Sequence, residues 1–101
     1  MPALYSTRFL AFTGAGPAKY TVPAGKRVVL KLVSAVNPST SAQQCVLYIG
    51  ALAIWVVSLP ANSGAFAAGL HLVYNAGEDV QLANSSSVMT ASAHGYLLDA
   101  P

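Results

Sequence analysis

Three acids (Glu78, Asp79, Asp99), two histidines (His71, His94), one cysteine (Cys45) and a scatter of serines are the side chains here that could carry chemistry. Catalysis by paired carboxylates needs two acids in different environments, yet Glu78 and Asp79 are neighbours in the stretch NAGED. Their expected work is local: closing a tight turn ahead of a strand that holds Val80 and Leu82. A Ser-His-Asp relay could be drawn from a serine, His94 or His71, and Asp99, but no G-x-S-x-G elbow accompanies them. A metal centre wants several ligands at close spacing, and His71 and His94 fall in separate segments with no HxH or CxxC nearby. GAGPAK at residues 14–19 lacks the full phosphate-loop pattern and leads into a strand, so it reads as a turn. Cys45 sits in an apolar run with no basic neighbour to lower its pKa, which makes it a small buried hydrophobe suited to a reducing cytoplasm. The expectation is therefore a protein that is not an enzyme, with no cofactor and no metal.

With chemistry scarce, the elements that dispose of apolar surface become the informative part. The chain has 101 residues, enough for one domain over residues 1–101. Charged residues are 8% against about 25% in ordinary soluble domains, and hydrophobic ones are 54%. Either small residues and hydroxyls supply the polar skin, or other chains cover part of the surface. The formal charge of +2 is too small to predict nucleic-acid binding, although Lys19, Lys26, Arg27 and Lys31 cluster. The opening residues MPALYSTRFLAF lack the pattern of a secretory leader. Residues 32–77 carry no formal charge. The densest apolar part of that stretch, residues 45–59, is shorter than the roughly 20 residues of a membrane helix and contains Gly50, so no membrane span is expected.

Turn signals recur along the whole chain: residues 14–17, 23–25, 37–41, 50, 60–64, 75–77 and 84–87. No segment between them keeps a helical apolar period. Strands are expected near residues 4–13, 18–22, 27–36, 44–50, 52–59, 66–74, 79–83 and 87–98. About eight antiparallel strands without helices make an all-β sandwich or jelly roll.

Two segments look apolar on both sides. In CVLYIGALAIWV a two-residue Gly50-Ala51 turn pairs Ile49 with Leu52 and Tyr48 with Ala53, and continued alternation pairs Val46 with Trp55. One face then holds Cys45, Leu47, Ile49, Leu52, Ile54 and Val56; the other holds Val46, Tyr48, Ala53, Trp55 and Val57. In RVVLKLVSAV one face holds Val28, Leu30, Leu32 and Val36, the other Arg27, Val29, Lys31, Val33 and Ala35. A two-layer sandwich normally keeps one face of each sheet polar. The candidates for an interface with another chain are therefore Tyr48, Trp55, Val46, Val57, Arg27, Val29, Lys31 and Val33.

The order VPAGK at residues 22–26, YIGALAIWV, SLPANSGAF, LVYNAGEDVQL and a closing SAHGYLL resembles the small β-sandwich virion proteins of tailed bacteriophages. The resemblance covers roughly residues 18–98 and leaves residues 1–13 as an N-terminal arm or added strand. It implies a non-enzymatic virion component, first of all a capsid decoration (cement) protein, with a tail-associated subunit as the alternative. It also implies assembly in the host cytoplasm and partners that are sister copies, with a trimer expected, and the major capsid protein or other virion proteins. Two other classes compete. A carbohydrate-binding module would stack sugars on Tyr48, Trp55, Tyr74 and Tyr96, and a small hydrolase would need His94 or His71 in a pocket.

Overall fold

The computed structural model describes residues 7–99. They form nine strands: β1 (Thr7–Thr13), β2 (Ala18–Thr21), β3 (Lys26–Asn37), β4 (Gln43–Ile49), β5 (Leu52–Leu59), β6 (Ser63–Ala67), β7 (Leu72–Tyr74), β8 (Asp79–Asn84) and β9 (Thr90–Asp99). One antiparallel sheet, here sheet A, runs β1-β9-β3-β6, with β7 also on β3; the second, sheet B, runs β2-β8-β4-β5. The pairs β1 with β9, β2 with β8, β3 with β6 and β7, and β4 with β5 are the rungs of one folded ribbon, and that wrapping is a jelly roll. Of the two expectations for the N-terminal segment, an arm or an added strand, the second holds from Thr7 onward, where β1 is an edge strand of sheet A. Residues 1–6, the remainder of that expectation, lie outside the described residues.

Apolar side chains of both sheets fill the space between the layers, with Val28, Leu30, Val33, Leu47, Tyr74, Val80, Leu82 and Met89 fully buried. Phe9 of sheet A packs on Tyr20 of sheet B, ring centroids 5.1 Å apart. Polar groups tie the layers too. The Tyr74 hydroxyl donates to the Tyr48 carbonyl at 3.1 Å. The fully buried Asn37 amide donates to the carbonyls of Ser41, Leu59 and Pro60, so a single side chain fixes the end of β3, the following loop and the end of β5.

The sheets depart from simple alternation at bulges, and these correct the expected faces. Pairing of β3 with β9 shifts between Leu30 and Leu32, so Lys31 has no partner on β9. One extra residue moves everything beyond it to the opposite face. Val33 and Ala35 therefore enter the core, 0% and 1% exposed, instead of joining a docking face. Leu32 and Val36 turn outward instead of inward, leaving Val36 47% exposed. The same event explains why the single strand expected over residues 66–74 is two. β3 pairs with β7 through Leu30 and with β6 from Val33, and between them the Leu70 amide donates to the carbonyl of the bulged Lys31 at 3.1 Å. A straight partner cannot follow a kinked strand, so the chain breaks pairing and resumes it.

The hairpin behaves alike. Ile49 faces Leu52 and Tyr48 faces Ala53 as expected, with Gly50 at φ 58, the positive value a type II′ turn demands of its first central residue. A shift at Ile54 then sets Trp55 against Leu47 and Val57 against Cys45. Trp55 and Val57 consequently lean on the core, and Val56 takes their expected place outside.

Gly95 is what lets the β3 bulge close. A Cβ built there would overlap the Val29 carbonyl oxygen and lie 2.9 Å from the Leu30 Cα. Gly95→Ala should therefore destabilise the fold by about 1–3 kcal/mol or more, read as a lower urea midpoint at unchanged slope.

Burial pushes the Cys45 thiol up from 9.0 to about 11. Burial, and then the neighbouring Glu78 carboxylate, raise the Tyr74 phenol above its ordinary 10.0. Both groups prefer the neutral form when folded, so their contribution is complete below about pH 9 and is lost as pH rises through the folded values. Thermal unfolding followed from pH 7 to 11 should show stability falling above pH 9, and Tyr74→Phe should flatten the upper part of that fall.

Candidate interaction surface

The outer face of sheet A is built in rows by the register of its strands. Val73 of β7, Val29 of β3 and Tyr96 of β9 form one row; Leu32, His94 and Arg8 form the next. Phe66, Ser34, Ser92 and Ala11 form a third, and Gly64, Val36, Thr90 and Thr13 a fourth. The two lower rows are made almost wholly of small side chains, so the sheet is hollowed there into a shallow concavity of about 440 Å³. Its floor includes Ala11, Thr13, Ser34, Thr90 and Ser92. Large apolar groups also stand on this face: Phe66, opposite Ser34, is 72% exposed, Val36 on the next row is 47% exposed, and Val73, two rows from Phe66, is 41% exposed.

Polar groups on this face satisfy one another. Ser34 Oγ and Ser92 Oγ lie 2.6 Å apart, and His94 Nε2 lies 3.1 Å from the same Ser92 Oγ. A serine beside an imidazole is the beginning of a nucleophile pair, but a working one needs a third group to orient the ring. Among the described residues no carboxylate bonds to His94, and the Asp99 carboxylate is held by Lys26, which keeps its pKa below the usual value. His71 stands apart, its Nδ1 3.2 Å from Lys31 Nζ. An ammonium can only donate, so this contact requires the neutral ring with its proton on Nε2. Among the described residues no three His, Cys, Asp or Glu side chains come together as metal ligands. No helix among them is long and apolar enough to cross a membrane.

Five of the eight interface candidates lie on the outer sides of the two sheets, and three are turned toward the core. Arg27 and Val29 are on the outer side of sheet A, where Val29 is nonetheless buried at 9% exposure, with Lys31 at the bulge, whereas Tyr48 and Val46 lie on the outer face of sheet B beside Gln81 and Ala83. Arg27 is half-buried and its Nε has no hydrogen-bond partner. Trp55 and Val57 point toward the core from the edge of sheet B, and Val33 is inside. The four aromatics suited to sugar stacking do not form one platform, since Tyr74 is fully buried, Trp55 faces inward, and Tyr48 and Tyr96 are on different sheets.

Simple alternation puts Leu32 and Val36 on the core face, and the single strand expected over residues 66–74 gives no face to Phe66 or Val73. A signal was present: Gly69 interrupts that strand, and Gly95 marks a close approach.

Fold and surface together define a jelly-roll sandwich with little charge, whose sheet A carries an exposed apolar face. No family model matches the chain, and no curated protein is significantly similar to it.

The two sheets make different demands on substitution. Trp55→Asp should cost about 2–4 kcal/mol in urea denaturation, because it sets a charge against the core. Phe66→Asp should stay within about 0.5 kcal/mol of the parent.

Proposed function

We propose that this chain is a non-enzymatic structural subunit of a tailed-bacteriophage virion, a capsid decoration protein that binds the head as an oligomer and stabilises it. The observation that carries the reading is the outer face of sheet A, where Phe66 and Val36 stand exposed on adjacent rows and Val73 is exposed further along the same face. A monomer free in solution gains nothing from such a patch, whereas a subunit laid on a larger surface buries it. The turn motifs at residues 22–26 and 77–79 and the closing Gly95-Tyr96 supply the resemblance to virion proteins, and jelly rolls are a recurrent choice for viral shells by fold-level analogy. Many copies on one shell need only weak individual contacts, because each bound copy raises the effective concentration of the next. Assembly then takes place in the host cytoplasm, and the partner is the major capsid protein.

A second reading has one observation in its favour. The concavity floored by Thr13, Ser34, Thr90 and Ser92 beside Phe66 offers hydroxyls and an aromatic face, the two things a sugar ring uses.

The deciding experiment is co-sedimentation with heads of the phage that carries the gene, stripped of this protein. Wild-type protein should pellet with heads and raise their melting temperature; Phe66→Asp with Val73→Asp should stay in the supernatant while melting like the parent. Failure of the wild type to bind heads would sink the proposal, and millimolar or tighter titration by a glycan, lost in Phe66→Asp, would put the sugar reading in its place.

A further inference from the structure

The jelly roll leaves its strand edges unequally protected. β2 is four residues long, carries Lys19 and lies between Pro17 and Pro23. On the far edge of sheet A, β6 and β7 are five and three residues long with a break between them. β1 carries Arg8 and a bulge at Phe9. Short length, charge, proline and bulges are the devices by which proteins keep edges from pairing with other chains. β5 is different: its eight residues, LAIWVVSL, contain no charge and no proline, and among the described residues it pairs only with β4. Its one bulge, at Ile54, leaves the stretch from Trp55 to Leu59 straight.

The backbone groups that β5 leaves unpaired can be assigned. The Gly50 amide donates to the Asp79 carbonyl and the Ser85 amide to the Gln44 carbonyl, so the even-numbered positions of β4 turn their backbone toward β8. The odd ones, Cys45 and Leu47, therefore bond to β5 at Val57 and Trp55. Alternation then points the N–H and C=O of Val56 and Ser58 away from the sheet. The Leu59 carbonyl already accepts from Asn37.

We infer that the β5 edge pairs with the β5 edge of a second copy, antiparallel and centred on Val57, joining two sheets B into one continuous sheet. In that register Val56 meets Ser58 of the partner subunit, and about four backbone hydrogen bonds form around the two-fold axis. Val57 meets its own counterpart, and Trp55 stands opposite Leu59 of the partner subunit. No like charges are opposed, because β5 has none. Self-pairing also fixes the number. A ring of three needs two different open edges on each copy, and the other edges are blunted, so an edge that satisfies itself closes at two. The inference deepens the oligomeric part of the proposed function and replaces the expected trimer with a two-fold pair.

Light scattering and amide exchange test this without any capsid. From micromolar to millimolar concentration the wild type should approach twice the 10.4 kDa chain mass. The Val56 and Ser58 amides should be slow to exchange in the pair and fast on dilution. Val56→Lys, at a position 51% exposed, should be monomeric throughout with unchanged thermal unfolding of the diluted chain. Phe66→Asp should remain a dimer. A wild type that stays monomeric, a trimer with freely exchanging Val56 and Ser58 amides, or a Val56→Lys protein that still pairs would each overturn the inference. Loss of head binding alone would overturn only the capsid reading.

Discussion

The constraint on which the rest of this structure depends is the parity of an antiparallel sheet. Successive side chains alternate between core and exterior, so an extra residue in one strand exchanges the two faces for everything beyond it. In β3 that residue is Lys31, and its consequences reach well past one strand. It sends Val33, Ala35 and Asn37 inward, where Asn37 anchors the loop to β4. It sends Leu32, Ser34 and Val36 outward, where they become the middle of the exposed face. It also requires a close approach that only a glycine at 95 permits, and it divides the far edge of the sheet into β6 and β7. The apolar face, the hollow within it and the broken edge are three results of one insertion.

Much of the fold was legible because it rests on local chemistry. Gly50 at the hairpin, the VPAG and NAGE turns and the absence of helical period placed every strand but β6 and β7, which were read as one, and strand number alone pointed to a sandwich or jelly roll. The expectation that the β4 and β5 hairpin begins with Ile49 against Leu52 held for the same reason. What could not be read was any event decided by a distant partner. The bulge at Lys31 is defined by β9, more than fifty residues onward, and the bulge at Ile54 interrupts the register of β5 against β4 while β4 runs unshifted against β8. Hence Val33, Trp55 and Val57 were assigned to the wrong side, while Arg27, Val29, Tyr48 and Val46, which precede the relevant bulges or lie on unbulged strands, were assigned to the correct one.

Electrostatics contributes little to holding this molecule together. The Lys26–Asp99 pair is exposed, where water screens the attraction and little stability is gained. Polar satisfaction is instead achieved by hydroxyls and amides: Ser34 with Ser92, Asn37 with three carbonyls, Asn84 with the Gly14 carbonyl. The low charge content thus has a structural counterpart. A surface finished in Ser, Thr, Ala and Val tolerates contact with another protein at small desolvation cost, because few ions must give up water.

The edge and the face then have a geometric relation that follows from the sheet itself. Strands paired antiparallel about a two-fold place equivalent side chains on the same side, so Val57 and its counterpart both point inward and the axis stands perpendicular to the joined sheet. Sheet A packs against that inner side in each copy, so a pair formed through β5 would carry both of its exposed sheet A faces in the same direction. Two patches aimed one way can engage a single shell together, and the second contact is intramolecular once the first has formed. A pair formed by burying the sheet A faces against each other would have neither patch left for a shell. Edge pairing would therefore leave the apolar face available, and it would couple the two surfaces without requiring either to change shape.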